Sequence, residues 1–111
     1  MIEIKKANEE FKKYNDIQND AYVCFDKDSV LGLVEYKLND SQLEIVNINC
    51  KESFLADGLV RQTMNYALDQ GATTCIYGKD VQDKLYELRI ITNNSQENID
   101  ILEFFLNLNC M

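Results

Sequence analysis

Residues 30–77 carry the pattern that most constrains the fold of this 111-residue chain. Two strand-like runs, 30–38 and 42–50, are separated by the turn residues at 39–41. A helical stripe of apolar residues follows, ends at Gly71, and leads into a short apolar run at 73–77 that predicts a buried strand. The stripe comprises Leu55, Leu59, Val60, Met64, Ala67 and Leu68. A hairpin followed by a helix and a further strand indicates the centre of an α/β domain.

The N-terminal segment predicts one more strand and one helix. Residues 2–4 are typical of an edge strand. Asn8 predicts the cap of a helix that ends near Asp16 and buries Phe11 and Tyr14.

The remaining segments complete an alternating pattern. Residues 21–25 predict a strand that forms an antiparallel meander with the two strands of the hairpin. After the buried strand, Asp80 predicts the cap of a short helix that runs through Leu88. The C-terminal segments predict a loop, a brief strand and a helix at 92–98, 99–101 and 102–108.

The run at 42–50 changes phase at its middle. Leu43 and Ile45 share one face of a regular strand, whereas Val46, Ile48 and Cys50 share the other. Two interpretations fit this pattern: a β-bulge, which re-aims the side chains that follow it, or a strand that is apolar on both faces.

Length, charge and hydropathy limit the classes of protein to which this chain can belong. The chain is expected to form a single domain over 1–111, because it is too short for a second core. Its net charge of −8 argues against nucleic acid or an anionic membrane as a partner. No apolar run approaches the roughly 20 residues of a membrane helix, and the N-terminus lacks a signal-peptide pattern. A soluble cytoplasmic protein is therefore the expectation.

The cysteines and the missing histidines exclude several kinds of site. Cys24, Cys50 and Cys75 lie in apolar strand segments, where a free cysteine behaves as a small buried hydrophobe. Cys110 is either a reactive or intermolecular thiol or an inert one. No two cysteines have zinc-site or redox spacing, and no metal site is predicted. Without histidine, serine or cysteine triads that need it are excluded.

The order of elements resembles the GNAT superfamily of N-acetyltransferases, best over residues 32–77. The run 30–35 is similar to the third strand of that family, and 56–68 is similar to its long central helix. The resemblance implies an α/β (α+β) fold with a mixed, mostly antiparallel central sheet and helices on both faces. In the family, a bulged strand leads into a loop whose amides bind the pyrophosphate of acyl-CoA at the start of a helix.

The resemblance implies acetyl-CoA as the cofactor and places its binding site around the start of the central helix. Lys51 replaces the Arg or Gln of the family loop, Phe54 replaces its first glycine, and Ala56 is a permitted residue. Phe54 matters because glycine allows the backbone to approach a phosphate closely, whereas a benzyl side chain obstructs it. The residues implied in cofactor binding are Ile48, Asn49, Phe54, Leu55, Ala56, Asp57 and Gly58.

The resemblance also implies acid and base residues. Glu44, on the fourth strand, is a possible base for an acceptor amine or only the solvent-facing member of an alternating pair. Tyr86 is a candidate acid for the leaving thiolate or packs its ring on the core with its hydroxyl in water. If 89–90 stands for the family's Gly-Phe pair, Leu85 occupies the tyrosine position and Tyr86 lies one residue away.

Two functions fit the sequence. The first is an acyl-CoA-dependent N-acetyltransferase with a divergent pyrophosphate loop, acting on a small-molecule or peptide amine. The alternative is a non-catalytic binding or assembly module of the same fold that has lost acyl-CoA binding. Adjacent Phe104 and Phe105 cannot both face one core from a regular helix or strand. One of them closes a pocket, covers the sheet edge or meets the partner subunit of a homodimer, or the pair simply packs at the chain end.

Overall fold

The structure is a computed structural model that describes residues 1–109, with side chains through Asn107; Cys110 lies outside the described residues. The strands are β1 (Ile2–Lys6), β2 (Asp20–Asp26), β3 (Ser29–Asn39), β4 (Gln42–Cys50), β5 (Thr74–Tyr77) and β6 (Asn98–Asp100). The helices are α1 (Glu9–Tyr14), α2 (Ser53–Asp69), α3 (Lys79–Glu87) and α4 (Ile101–Asn109).

The six strands form one mixed sheet in the order β1-β2-β3-β4-β5-β6. Every neighbouring pair is antiparallel except β4 and β5, which are parallel and joined by the crossover helix α2. The predicted mixed, mostly antiparallel sheet is therefore confirmed. Parallel neighbours require such a crossover because their chain directions cannot be linked by a tight turn.

Helices cover both faces of the sheet, as predicted. Phe11 of α1 packs edge-on against Phe25 of β2, with ring centroids 5.8 Å apart. Tyr66 of α2 packs against Tyr22 and Tyr36, at 5.7 Å and 6.2 Å. Because Phe25 and Tyr22 are three residues apart on one strand, they point to opposite faces.

The main core lies between α2 and the sheet. One face of α2 is fully apolar apart from Thr63, whose hydroxyl donates to the Leu59 carbonyl at 2.8 Å. Gly71 follows the helix with φ of 98°, and its amide donates to the Leu68 carbonyl at 3.0 Å. A left-handed residue at this position closes the helix, and glycine adopts that conformation without steric cost. The predicted helix end is confirmed.

A β-bulge at Val46 explains the phase change in β4. Tyr36 of β3 pairs with Ile45, whereas Glu35 pairs with Asn47, so Val46 has no partner on β3. The extra residue returns the next apolar side chains to the face that Ile45 occupies, because strand side chains alternate with a period of two. Of the two interpretations of this strand, the bulge is correct.

Two local expectations are wrong. Tyr14 is 90% exposed because α1 ends there and does not extend over the sheet. Helix α3 begins after Gly78, so Asp80 lies in its first turn and does not cap it. The Asn8 cap is confirmed, since its side-chain oxygen accepts from the Phe11 amide at 2.8 Å.

The cysteine expectations are confirmed where the structure describes them. Cys24, Cys50 and Cys75 are free and buried. Among residues 1–109, no helix is long and apolar enough to cross a membrane.

The C-terminal aromatic pair packs on the core, which agrees with simple packing at the chain end and contradicts the expectation that only one of the two rings could face it. Phe104 and Phe105 are both half-buried and both pack against the main core, with ring centroids 5.2 Å apart in an edge-on arrangement. The large apolar residues of α4 that are exposed among those described are Leu102 and Leu106.

Candidate functional site

An opening between β4 and β5 is the central feature of the candidate site. The two strands pair only over Gln42–Ile45 and Thr74–Tyr77. Beyond the bulge, β4 continues to Cys50 with no partner on the β5 side among residues 1–109. A bulge bends its strand and increases the local twist, which accounts for the end of pairing there.

The unpaired part of β4 contains two residues predicted to bind the cofactor. Ile48 is half-buried and Asn49 is exposed. The opening begins beside Tyr77, the last residue of β5, whose hydroxyl donates to the Gln96 carbonyl at 3.0 Å. Burial raises the pKa of Tyr77 to about 12, so this phenol is a hydrogen-bond donor at neutral pH.

The unpaired part of β4 leads directly to the N-terminus of α2. Glu52 occupies the N-cap position but makes no side-chain capping bond. The Ala56 amide donates to the Glu52 carbonyl at 2.9 Å, and the amides of Ser53, Phe54 and Leu55 have no acceptor among the described residues. These three amides and the positive end of the helix dipole favour an anion.

The Phe54 side chain lies on the outside of this turn. It is 68% exposed, so the ring projects into solvent and does not pack in the core. Leu55 and Ala56, by contrast, are buried in the main core. The Leu55 amide is available to a ligand, whereas the Ala56 amide already donates to the Glu52 carbonyl.

A carboxylate near the α2 N-terminus is neutralised within the helix. The Asp57 carboxylate accepts from the Arg61 guanidinium at 2.7 Å, and Arg61 also lies 5.0 Å from the centroid of the Phe104 ring. Pairing of Asp57 reduces its repulsion of an anion bound at the preceding turn. Gly58, one residue further, faces Ile4 of β1 and not the opening.

The predicted base lies close to the opening. Glu44 is half-buried on β4, two residues before the bulge. Its ladder neighbours are Lys37 on β3 and Ile76 on β5. Glu44 forms no ion pair within the described residues.

The predicted acid lies elsewhere on the surface. Tyr86 is 46% exposed and lines a groove with Glu87, Arg89, Ile91 and Thr92, which Glu44 does not line. Leu85, the residue that precedes Tyr86, is fully buried.

Two residues of the site, Val46 and Ser53, were not among those predicted for it, although a bulge was one of the two interpretations of β4. The bulge residue Val46 and the free amide of Ser53 both contribute through the backbone, so their side chains carry no signal. Only the phase change in β4 and the position of the first helical residue indicate them.

Comparison with known proteins identifies the fold. No protein-family profile and no curated protein sequence matches the chain. A probable acetyltransferase from Staphylococcus epidermidis is 13% identical, with a TM-score of 0.62 and coverage of 81% of this chain and 82% of that one.

Two further similar structures contain acetyl-CoA or CoA. A GNAT family acetyltransferase from Elizabethkingia anophelis with acetyl-CoA bound is 14% identical, with a TM-score of 0.58, covering 79% of this chain and 72% of that one. An acetyltransferase from Bacillus subtilis in complex with CoA is 16% identical, with a TM-score of 0.57 and coverage of 80% and 76%. At these identities the similarity establishes the fold alone.

Proposed function

Because the chain has the GNAT fold, we propose that it is an acyl-CoA-dependent N-acetyltransferase that modifies an amine of a small molecule or peptide in the cytoplasm. The observation that carries the proposal is the continuous path from the unpaired edge of β4 to the three free amides of α2. A bulged strand that parts from its neighbour just before a helix N-terminus suits an extended ligand with an anionic end.

Backbone groups would hold most of the cofactor. The amides of Ser53, Phe54 and Leu55 would bind the pyrophosphate, and the edge of β4 from Val46 to Asn49 would bind the extended pantetheine arm. The exposed position of the Phe54 ring is compatible with this arrangement, because the ring is directed into solvent. Acetyl-CoA would supply an activated acyl carbonyl.

Glu44 and Tyr86 are the side chains proposed for proton transfer. An amine must lose a proton before it can attack a carbonyl, and a half-buried carboxylate beside the opening can accept it directly or through water. The thiolate that leaves needs a proton, and Tyr86 is the nearest residue in sequence to the family's acid position. Its exposed phenol would reach the thiolate only through solvent.

Two substitutions relative to the family favour the alternative of a non-catalytic module. Phe54 replaces a glycine of the pyrophosphate loop, and buried Leu85 replaces the acid. A protein of this kind would keep the fold but bind neither CoA nor acetyl-CoA.

Cofactor binding separates the two functions. We expect acetyl-CoA at about a hundred times its dissociation constant to raise the unfolding temperature by roughly 10 °C. Phe54→Gly should bind CoA more tightly by calorimetry if the ring restricts access to the amides. Tyr14→Gly is the matched control, because Tyr14 is an exposed aromatic residue distant in sequence from the loop. Absence of binding to both the parent chain and Phe54→Gly would support the non-catalytic module.

The role of Glu44 requires a second measurement. With an acceptor amine found by screening, Glu44→Gln should lower kcat by roughly 10²-fold or more, with little change in acetyl-CoA affinity. An unchanged kcat would exclude Glu44 as the base while leaving cofactor binding intact.

A further inference from the structure

The outer edge of β1 is free. β1 is the first strand of the sheet and pairs only with β2 among the described residues. The Ala7 amide donates to the Ala21 carbonyl at 2.8 Å, and hydrogen-bonded pairs alternate along an antiparallel ladder. The backbone groups of Ile2, Ile4 and Lys6 therefore point away from the sheet.

We propose that this edge binds a second copy of the chain, with the two β1 strands antiparallel and Ile4 of both copies on the two-fold axis. In this register Ile4 pairs with Ile4 of the other copy, and Ile2 pairs with Lys6. Each of these residues has outward-pointing backbone groups, so the three pairs form a regular ladder. The two sheets become one continuous sheet.

The charges of Glu3 and Lys5 favour this register over the registers shifted by two residues. Glu3 and Lys5 lie on the same face of β1 and form an ion pair of 2.9 Å within the strand, and in the proposed register each Glu3 also stands opposite Lys5 of the other copy. These positions form non-hydrogen-bonded pairs, in which facing side chains are closest. A shift by two residues in either direction places Glu3 opposite Glu3, or Lys5 opposite Lys5. The Glu-x-Lys pattern is thus self-complementary under two-fold symmetry, which favours a second copy over an unrelated strand.

Lysine at an edge often prevents association, but Lys6 is held away from this edge. Its ammonium donates to the Tyr66 hydroxyl at 2.9 Å and lies 4.6 Å from the centroid of that ring. The side chain is therefore drawn back over α2 and does not project across the strand.

Apolar side chains on the α2 side of this edge are exposed in the single chain. Ile2 is 47% exposed, and Ile4 contacts α2, where a Cβ on Gly58 would lie 3.6 Å from it. A second copy would cover these side chains, which a monomer leaves in water.

Charge exchange tests the pairing directly. We expect sedimentation between about 10 μM and about 1 mM to show a concentration-dependent dimer of the parent chain. Glu3→Lys alone and Lys5→Glu alone should each weaken it roughly ten- to thirtyfold, because each places two pairs of like charges across the axis. An equimolar mixture of the two variants should dimerise again, since every facing pair then has opposite charge.

Misfolding of the variants cannot produce the recovery of the dimer on mixing. Both substituted side chains are largely exposed, and two variants that were simply misfolded would not recover on mixing. Leu106→Asp is the control for association through the exposed residues of α4, and it should leave the dimer unchanged. A parent chain that is monomeric throughout the range, single variants that dimerise like the parent, or a mixture that stays monomeric would each overturn the proposal. It stands independently of cofactor binding.

Discussion

Arg89 has a backbone conformation that its side chain disfavours. Its φ is 61°, and it follows α3 where Gly71 follows α2. The amides of Arg89 and Ile90 donate to the Tyr86 and Leu85 carbonyls at 3.0 Å and 2.9 Å, which closes the helix. A left-handed residue with a Cβ costs roughly 1–2 kcal/mol, so this helix end is strained.

Arg89→Gly should therefore stabilise the protein. We expect the free energy of unfolding to rise by about 0.5–1 kcal/mol, because removal of the strain exceeds the entropy that glycine gains in the unfolded chain. Urea unfolding measures the change. Arg89→Ala keeps a Cβ at the same φ and should give no gain; equal stability of the two variants would show that the strain is not the cause.

At the scale of elements, the strands and α2 could be predicted because their apolar periodicities are distinct. The phase change in the apolar pattern of β4 allowed two interpretations. The pattern alone does not show which face of a strand is covered, so it could not identify the bulge at Val46. A second register shift, between Cys24 and Phe25 of β2, leaves Leu31 of β3 unpaired. The sequence does not indicate this second shift. Val30, Leu31 and Leu33 are all apolar, so the apolar pattern shows no change of phase at Leu31.

The candidate site was predictable only in part, for a physical reason. Its location follows from the order of the elements, but the groups that we propose to bind the ligand are mainly amides, which every residue type has. Val81 and Leu85 are four residues apart and share the buried face of α3, so the apolar spacing places Leu85 in the core and Tyr86 outside it. The start of α3, in contrast, was misplaced. Helix ends are set by local hydrogen bonds that the apolar stripe does not encode.

The bulge predicts an unusual sensitivity of β4 to deletion. Removal of Val46 would turn Ile48 and Cys50 to the opposite face of the sheet. We expect a loss of several kcal/mol in the free energy of unfolding, from the burial of both side chains and the contacts around them. Val46→Ala should cost less than about 1 kcal/mol, because that side chain is 37% exposed. Similar urea midpoints for the two variants would contradict a structural role of the extra residue.

At the scale of the whole molecule, buried acids dominate the response to pH. Burial raises the pKa of the Cys75 thiol to about 12 and that of the Tyr77 phenol to about 12. Burial is also the largest cause of the raised pKa values of Tyr36, Tyr22 and Cys24. The Tyr36 hydroxyl is buried without a hydrogen-bond partner among the described atoms. All five groups therefore keep their protons in the folded protein at a pH where the unfolded chain loses them.

Stability should consequently be lost on the alkaline side. Unfolded cysteine and tyrosine titrate near pH 8.5 and 10, so their contribution is complete below those values and falls as pH rises through the folded pKa values. Each proton released only on unfolding lowers the free energy of unfolding by about 1.4 kcal/mol per pH unit. Between about pH 6 and 8 the curve should be flat, because the chain has no histidine.

Two variants identify the groups responsible for this alkaline loss. Cys75→Ala should reduce the slope from about pH 9 upward, and Tyr36→Phe should reduce it only from about pH 10.5, since the phenol titrates later in the unfolded chain. Tyr36→Phe should in addition be as stable as the parent or more so at neutral pH, because it removes a buried hydroxyl that has no partner. Urea unfolding across this pH range measures both effects. If both variants keep the slope of the parent, deprotonation of surface lysines, which leaves the carboxylates of the −8 chain uncompensated, and not the buried acids, drives the loss.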